Sequence, residues 1–153
     1  MKSLENRIPP PIVLLIALAL IYLVSRVDDL ITISDALRLS LGTGLLALGL
    51  CIMIAGVISF KRAATTVNPL KPESASSLVS SGVFRYTRNP MYLGMILISI
   101  AAVVKSSSVL SLLVVLGFFL FITRYQIIPE ERAMAKLFGE DFEQYQQRVR
   151  RWI

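Results

Sequence analysis

Twenty consecutive residues without a charge, LGTGLLALGLCIMIAGVISF from Leu41 to Phe60, limit what this chain can fold into. A run of that length matches the hydrocarbon thickness of a bilayer when wound as a helix. Three shorter uncharged runs accompany it: Ile12–Ser25, entered through three prolines, then Met91–Val104 and Val109–Thr123. Each of these needs a few polar flanking residues to cross. The chain is 55% hydrophobic with mean hydropathy +0.68, and only 17% of its residues are charged, against about a quarter in ordinary soluble domains. One soluble core of a 153-residue domain does not need that much apolar surface, so the expected solvent for the excess is lipid. The reading is an all-α polytopic membrane bundle of about four transmembrane helices with a C-terminal helical segment on the cytoplasmic side.

Charge orients it. Thirteen of the sixteen Lys and Arg residues fall before the first run, between the second and third, or after the fourth; Arg26, Arg38 and Lys105 fall on the other side. The positive-inside rule then puts both termini and the long middle loop in the cytoplasm, in an inner or plasma membrane. Lys2 and Arg7 ahead of the first run resemble a signal-peptide start, but SRVDDL follows with no small-residue cleavage site, so an uncleaved span is expected. KSSS, Lys105 to Ser108, joins the third and fourth runs too tightly for anything but a helical hairpin. Gly42, Gly49 and Gly56 recur every seven residues, the pattern of a small-residue seam where a neighbouring helix packs closely. GTGLLALG is not a GxGxxG nucleotide loop, and no strand precedes it.

Absences narrow the chemistry. With no histidine, a His-ligated metal, a Ser-His-Asp triad and a His base are excluded, and no metal is expected. The lone Cys51 can form no internal disulfide and reads as packing. The basic residues are accounted for by topology, so no nucleic-acid partner is expected.

The polar residues concentrate in two places. GVFRYTRNPMYLG, Gly82 to Gly94, opens the third run. Asn89 is pushed out of the α region by Pro90, which suits the first helical position, and Asn is a good N-cap. A helix N-terminus flanked by Arg85 and Arg88 offers a site for an anion; Tyr86 and Tyr92 add rings and hydroxyls, and Gly94 permits close approach. After the fourth run, Pro129-Glu130-Glu131 reads as a kink or fresh helix start and Gly139 as a stop. Phe142, Tyr145, Val149 and Trp152 form an apolar stripe, which with Arg148, Arg150 and Arg151 suits a helix lying on anionic headgroups. A cationic helix end facing a pair of carboxylates suits a ligand with an amino group, a carboxylate and a flat ring. S-adenosylmethionine has those features.

At these residues the chain resembles the membrane methyltransferases that act on isoprenylcysteine carboxyls and phospholipids. The resemblance rests on Leu78-Val79, Gly82-Val83-Phe84, Arg88-Asn89-Pro90-Met91-Tyr92-Leu93-Gly94, Glu130-Glu131, Phe138-Gly139 and Val149-Arg150-Arg151, in order and spacing across residues 68 to 153. It implies a helical bundle holding S-adenosylmethionine on the cytoplasmic side and passing its methyl group to a small lipophilic or lipidic acceptor. Ser76, Ser77, Leu78, Val79 and Phe84 would line the cofactor. Asn89, Pro90, Met91 and Tyr92 would hold its amino-acid and sulfonium end beside Gly94, and Glu130, next to Glu131, would pair with its amino group. The residues assigned to catalysis on this resemblance are Arg88, Tyr92, Glu130 and Arg124. Asn89 stands where the family usually has histidine. Gln126 stands where the prenylcysteine enzymes have a carboxylate-binding arginine. Residues 1–153 would form one domain, with two generic spans in 1–66 and the cofactor-binding catalytic core in 67–153. The short third and fourth spans would leave a gap near Met95 and Ile96 for a lipid-soluble acceptor. The competing reading is a non-enzymatic four-span protein, a minimal transporter or scaffold; the absence of any charge inside the runs weighs against transport.

Overall fold

The computed structural model describes residues 5–28, 30–64 and 75–153; Lys2 and Lys71 of the charge count lie outside them. Each apolar run becomes a helix: α1 (Pro10–Val24), α2 (Asp35–Arg62), α3 (Pro90–Ser106) and α4 (Ser111–Ile122). A 3₁₀ turn, Gly82–Arg85, precedes α3, and a π-helical turn, Thr123–Ile127, carries α4 into α5 (Ile128–Arg148). No strand occurs among the described residues. Two helical runs are long and apolar enough to cross a membrane, α2 and the continuous run Ser111–Arg148, while α1 and α3 are shorter apolar helices.

The surface confirms which solvent the bundle is built for. The buried residues of α2 are Gly49 and Gly56, whereas its Leu46, Leu48, Leu50 and Ile54 face outward. Leu15 on α1 is 64% exposed and Leu113 on α4 is 66% exposed. A water-soluble helix turns its leucines in and its small residues out; α2 does the reverse, as suits a helix whose apolar surface meets lipid.

Glycine also sets the central contact. A Cβ on Gly49 would lie 2.7 Å from the Gly94 carbonyl oxygen, and one on Gly94 would lie 2.5 Å from that of Gly49 and closer still to Met53. The backbones of α2 and α3 therefore touch, and Gly56 repeats the contact against Met91 and Pro90. The heptad of glycines is a helix seam, as its spacing predicts. Gly94 serves that seam from the opposite side. On its other faces α3 packs Tyr92 and Met95 against Ala17, Phe118 and Ile122, and Val103 against Ile21 and Val115.

At the far end, the Lys105–Ser108 hairpin is latched by Asp28. Its carboxylate accepts the N–H groups of Val109 at 2.8 Å and Leu110 at 3.3 Å and the Ser108 hydroxyl, so a residue from another loop caps α4. At the near end, Pro129 stands in the first turn of α5, the fresh helix start that its position predicts. It has no N–H for the carbonyl four residues back, that of Tyr125; the chain widens into the π turn, and the Asn6 N–H donates to that oxygen at 3.0 Å. Gly139 interrupts α5 with φ +50°, but the helix resumes to Arg148. The stripe expected on headgroups instead packs inward. Phe142, Tyr145 and Val149 join Val79 and Phe84 in one buried layer, because the segment before α3 supplies a closer apolar face. Trp152 lies beyond the helix and packs on Phe119, ring centroids 4.8 Å apart.

Gly94→Ala has to push two backbones apart and should destabilise the protein by roughly 1–3 kcal/mol. Gly44, whose Cβ would meet nothing within 4 Å, should tolerate alanine and gain up to about 1 kcal/mol of helix propensity. Thermal unfolding in one detergent compares them; equal midpoints for the two variants would show that the seam is not tight.

Candidate functional site

The N-terminus of α3 is gripped by the end of the chain. After α5, Val149 is extended (φ −125°, ψ 128°) and the last residues run across the segment before Pro90. Arg88 donates through Nη1 to the Val149 carbonyl at 2.6 Å and the Gln146 carbonyl at 3.2 Å. Its backbone N–H donates to the Arg150 carbonyl at 3.1 Å. The Arg151 carbonyl accepts from Asn89 Nδ2 at 2.9 Å and from the Thr87 hydroxyl at 3.4 Å. Asn89 does occupy the N-cap position, but its side chain makes no cap bond, because its amide holds this strap instead.

One carboxylate closes the clamp. Glu131 pairs with Arg88 at 2.7 Å and with Arg151 at 2.6 Å, its side chain 14% exposed and that of Arg88 11%. Burial pushes the Glu131 carboxyl up, but Arg151 and then Arg88 outweigh it and hold the group below its ordinary value. Glu130 is one residue earlier and about 100° round the helix, and its environment is the opposite. It accepts the Tyr92 hydroxyl and pairs with no cation among the described residues. Burial raises it to about 8, the Tyr92 bond opposing and the Glu131 charge adding to the rise. The carboxylate pair of the sequence is thus two different groups, a salt-bridged strut and a partly buried acid facing Tyr92.

Two polar groups at this end are left over. Arg88 Nε is buried without a hydrogen-bond partner. The second oxygen of Glu130 takes no hydrogen bond among the described residues. Below them, Met91 and Tyr92 lie in the first turn of α3, where N–H groups have no intrahelical acceptor. Among the described residues, no three His, Cys, Asp or Glu side chains gather as a metal site.

The structure divides the rest of the expected site. Arg88, Asn89, Pro90, Met91, Tyr92, Glu130 and Glu131 come together. Ser76 and Ser77 donate their hydroxyls to the Ala64 and Ala63 carbonyls at the end of α2. Leu78, Val79 and Phe84 belong to the α5 layer, where the Phe84 ring meets Phe60 edge-on at 5.1 Å. Arg124 does not reach Tyr92 or Glu130: it is half-exposed on the π turn and pairs with Glu5 at 3.1 Å, as Arg132 does at 2.7 Å. Sequence reasoning missed Thr87 and Glu5, and placed Arg151 on headgroups. Its signal was the Val149-Arg150-Arg151 end of the motif. Gln126 is fully buried, its Nε2 donating to the Ile8 carbonyl at 2.8 Å and its Oε1 unpartnered.

The expected lateral gap near Met95 is closed, since Met95 is core. A groove of about 450 Å³ opens instead between α1 and α4, with Ala17, Phe118 and Phe121 on its wall and Ile8 at its end. Ala17 and Phe118 pack on Tyr92 from their other side.

The family model for phospholipid methyltransferases matches residues 37–141, from the start of α2 into α5. An uncharacterized protein of Haemophilus influenzae (strain ATCC 51907 / DSM 11121 / KW20 / Rd) is 38% identical over 63 residues, 41% of this chain and the whole length of that protein. No solved structure matches the chain.

Between the ordinary carboxyl value of 4.5 and about 8, the folded protein binds a proton at Glu130 that the unfolded chain does not. Stability therefore falls as pH rises through that window and levels off above it. Glu130→Gln should flatten this decline in thermal midpoint. Glu131 has the opposite sign: its lowered value stabilises above the ordinary carboxyl range, and the contribution is lost as pH falls through the lowered value. Glu131→Gln should cost about 3 kcal/mol near neutrality. A Glu130→Gln protein that keeps the wild-type slope would contradict the assignment.

Proposed function

The chain belongs to the phospholipid methyltransferase family, and from that premise we propose a four-span S-adenosylmethionine-dependent membrane methyltransferase acting on a lipophilic or lipidic acceptor. In this reading both termini and the α3 N-terminus face the cytoplasm, as the distribution of Lys and Arg supports. The 153 residues act as one domain, with residues 67–153 supplying the cofactor site.

The observation that carries the reading is the Tyr92–Glu130 pair beside the unpartnered Arg88 Nε. The donor set fits the cofactor's amino-acid end. Arg88 Nε–H and the N–H groups of Met91 and Tyr92 suit a carboxylate, and Glu130 suits an ammonium. When bound, the cofactor supplies a methyl group already activated on a sulfonium. The protein's own work is positioning and exclusion of water. Tyr92 holds the Glu130 carboxyl in place, and the strap, with Trp152 on Phe119, closes the site against solvent. An ammonium ion on Glu130 displaces the proton that burial keeps there near neutrality, so binding releases a proton. Neither Arg124 nor the layer around Phe84 is needed for this. The groove between α1 and α4 supports entry of a lipid acceptor from the bilayer, with Ala17 and Phe118 between it and Tyr92.

Calorimetry of S-adenosylmethionine on the detergent-purified protein tests the site. Saturable binding is expected, with an enthalpy that depends on the ionisation heat of the buffer and so reports proton release. Glu130→Ala should weaken binding tenfold or more, about 1.4 kcal/mol, and Tyr92→Phe should weaken it less. Folded wild-type protein that binds nothing in detergent and in nanodiscs would leave a non-enzymatic four-span protein.

A further inference from the structure

A second cleft lies at the seam between the 3₁₀ turn and the last turn of α5, lined by Ser80, Arg85, Tyr145, Arg148 and Val149, with a volume of about 250 Å³. It shares no lining residue with the Tyr92–Glu130 site. Tyr145 and Val149 are buried and form its floor, fixed because the Tyr145 hydroxyl donates to the Phe84 carbonyl at 2.7 Å. Arg85 and Arg148 are exposed at its edge, and no carboxylate lines it.

Four other arginines near this end of the bundle are already paired. Arg88 and Arg151 share Glu131 as their ion-pair partner, and Arg124 and Arg132 share Glu5. Arg85 makes no hydrogen bond or ion pair among the described residues, and Arg148 makes only an Nε–H bond to the Gln144 carbonyl at 3.2 Å, one turn back. Two guanidinium groups on one small concavity repel each other unless an anion lies between them.

The end of a helix ordinarily repels anions through its free carbonyls. Here the Gln146, Val149 and Arg150 carbonyls accept from Arg88 and the Tyr145 carbonyl accepts the Val149 N–H, so that repulsion is reduced. Guanidinium forks match the oxygens of a phosphate in pairs, and the Ser80 hydroxyl adds a donor. Arg85 stands five residues before the start of α3.

We propose that this cleft binds a phosphate group, chemistry shared by an anionic lipid headgroup and a soluble phosphate. The bound group bridges the 3₁₀ turn to α5 and so braces the seam that the Arg88 clamp also crosses. Nothing in this depends on methyl transfer.

The test is thermal unfolding of the purified full chain in a neutral detergent, titrated with inorganic phosphate, with short-chain phosphatidylglycerol, and with the matching phosphate-free diacylglycerol. Wild type should show a saturable rise in midpoint with phosphatidylglycerol and none with diacylglycerol. A rise with inorganic phosphate as well makes the free anion sufficient, and a rise with the lipid alone makes the headgroup the source. The double variant Arg85→Gln/Arg148→Gln should raise the half-saturating concentration at least tenfold, while Arg150→Gln should leave it within twofold. No rise with either phosphate probe would overturn the proposal. So would an equal loss in Arg150→Gln, which means diffuse charge, or loss of S-adenosylmethionine binding in the double variant, which makes the cleft part of the cofactor site.

Discussion

Arg88 is the side chain on which this end of the molecule depends. Its guanidinium and its own N–H take three carbonyls from the last turn of α5 and the strap, and its charge is met by Glu131. A guanidinium can do this because it presents several donors in a fixed plane; a lysine could supply the charge but not the geometry. The consequence is topological. The chain's last residues are carried back over the N-terminus of α3, so the acids of α5 stand near a helix end that presents free N–H groups among polar neighbours. The site is assembled from segments some forty to sixty residues apart, and it exists only while the strap is down.

The clamp needs a rigid partner, and lipid supplies an unusual one. Because apolar side chains gain little by leaving a bilayer for a protein core, close helix contact has to come from backbone approach. Gly49 and Gly94 provide it. That frees the leucines of α2 to face outward and lets α3 carry more buried residues than any other helix described, with Tyr92 at its top and Val103 at its foot. Asp28 closes the opposite end by capping α4 from a different loop. The bundle is thus pinned at both ends by polar groups and along its length by glycine.

The four helices were legible in the sequence, because a bilayer leaves so little choice: a long uncharged run must be a helix. The glycine heptad was legible for the same reason. What the sequence could not show was direction. Gly94 sits inside a polar motif and reads as part of a ligand loop, yet it faces Gly49. Glu130 and Glu131 read as one pair, yet one turns to Tyr92 and the other to two arginines. The Phe142–Tyr145–Val149 stripe reads as membrane-facing because an isolated amphipathic helix does not say what will cover it; here the covering face was the segment holding Val79 and Phe84. Arg124 stands one helical neighbourhood from Gln126, where the prenylcysteine enzymes have their arginine, yet on the π turn before Pro129 it pairs with Glu5. Periodicity finds faces, and only the fold decides what each face meets.

The most direct measurement is methyl transfer itself. Membranes containing the chain would be incubated with methyl-tritiated S-adenosylmethionine and extracted into organic solvent. The account predicts label in the organic phase above that of membranes lacking the chain, lost in Glu130→Ala at equal protein amount. Equal labelling by wild type and Glu130→Ala, or no label with folded wild-type protein, would contradict it.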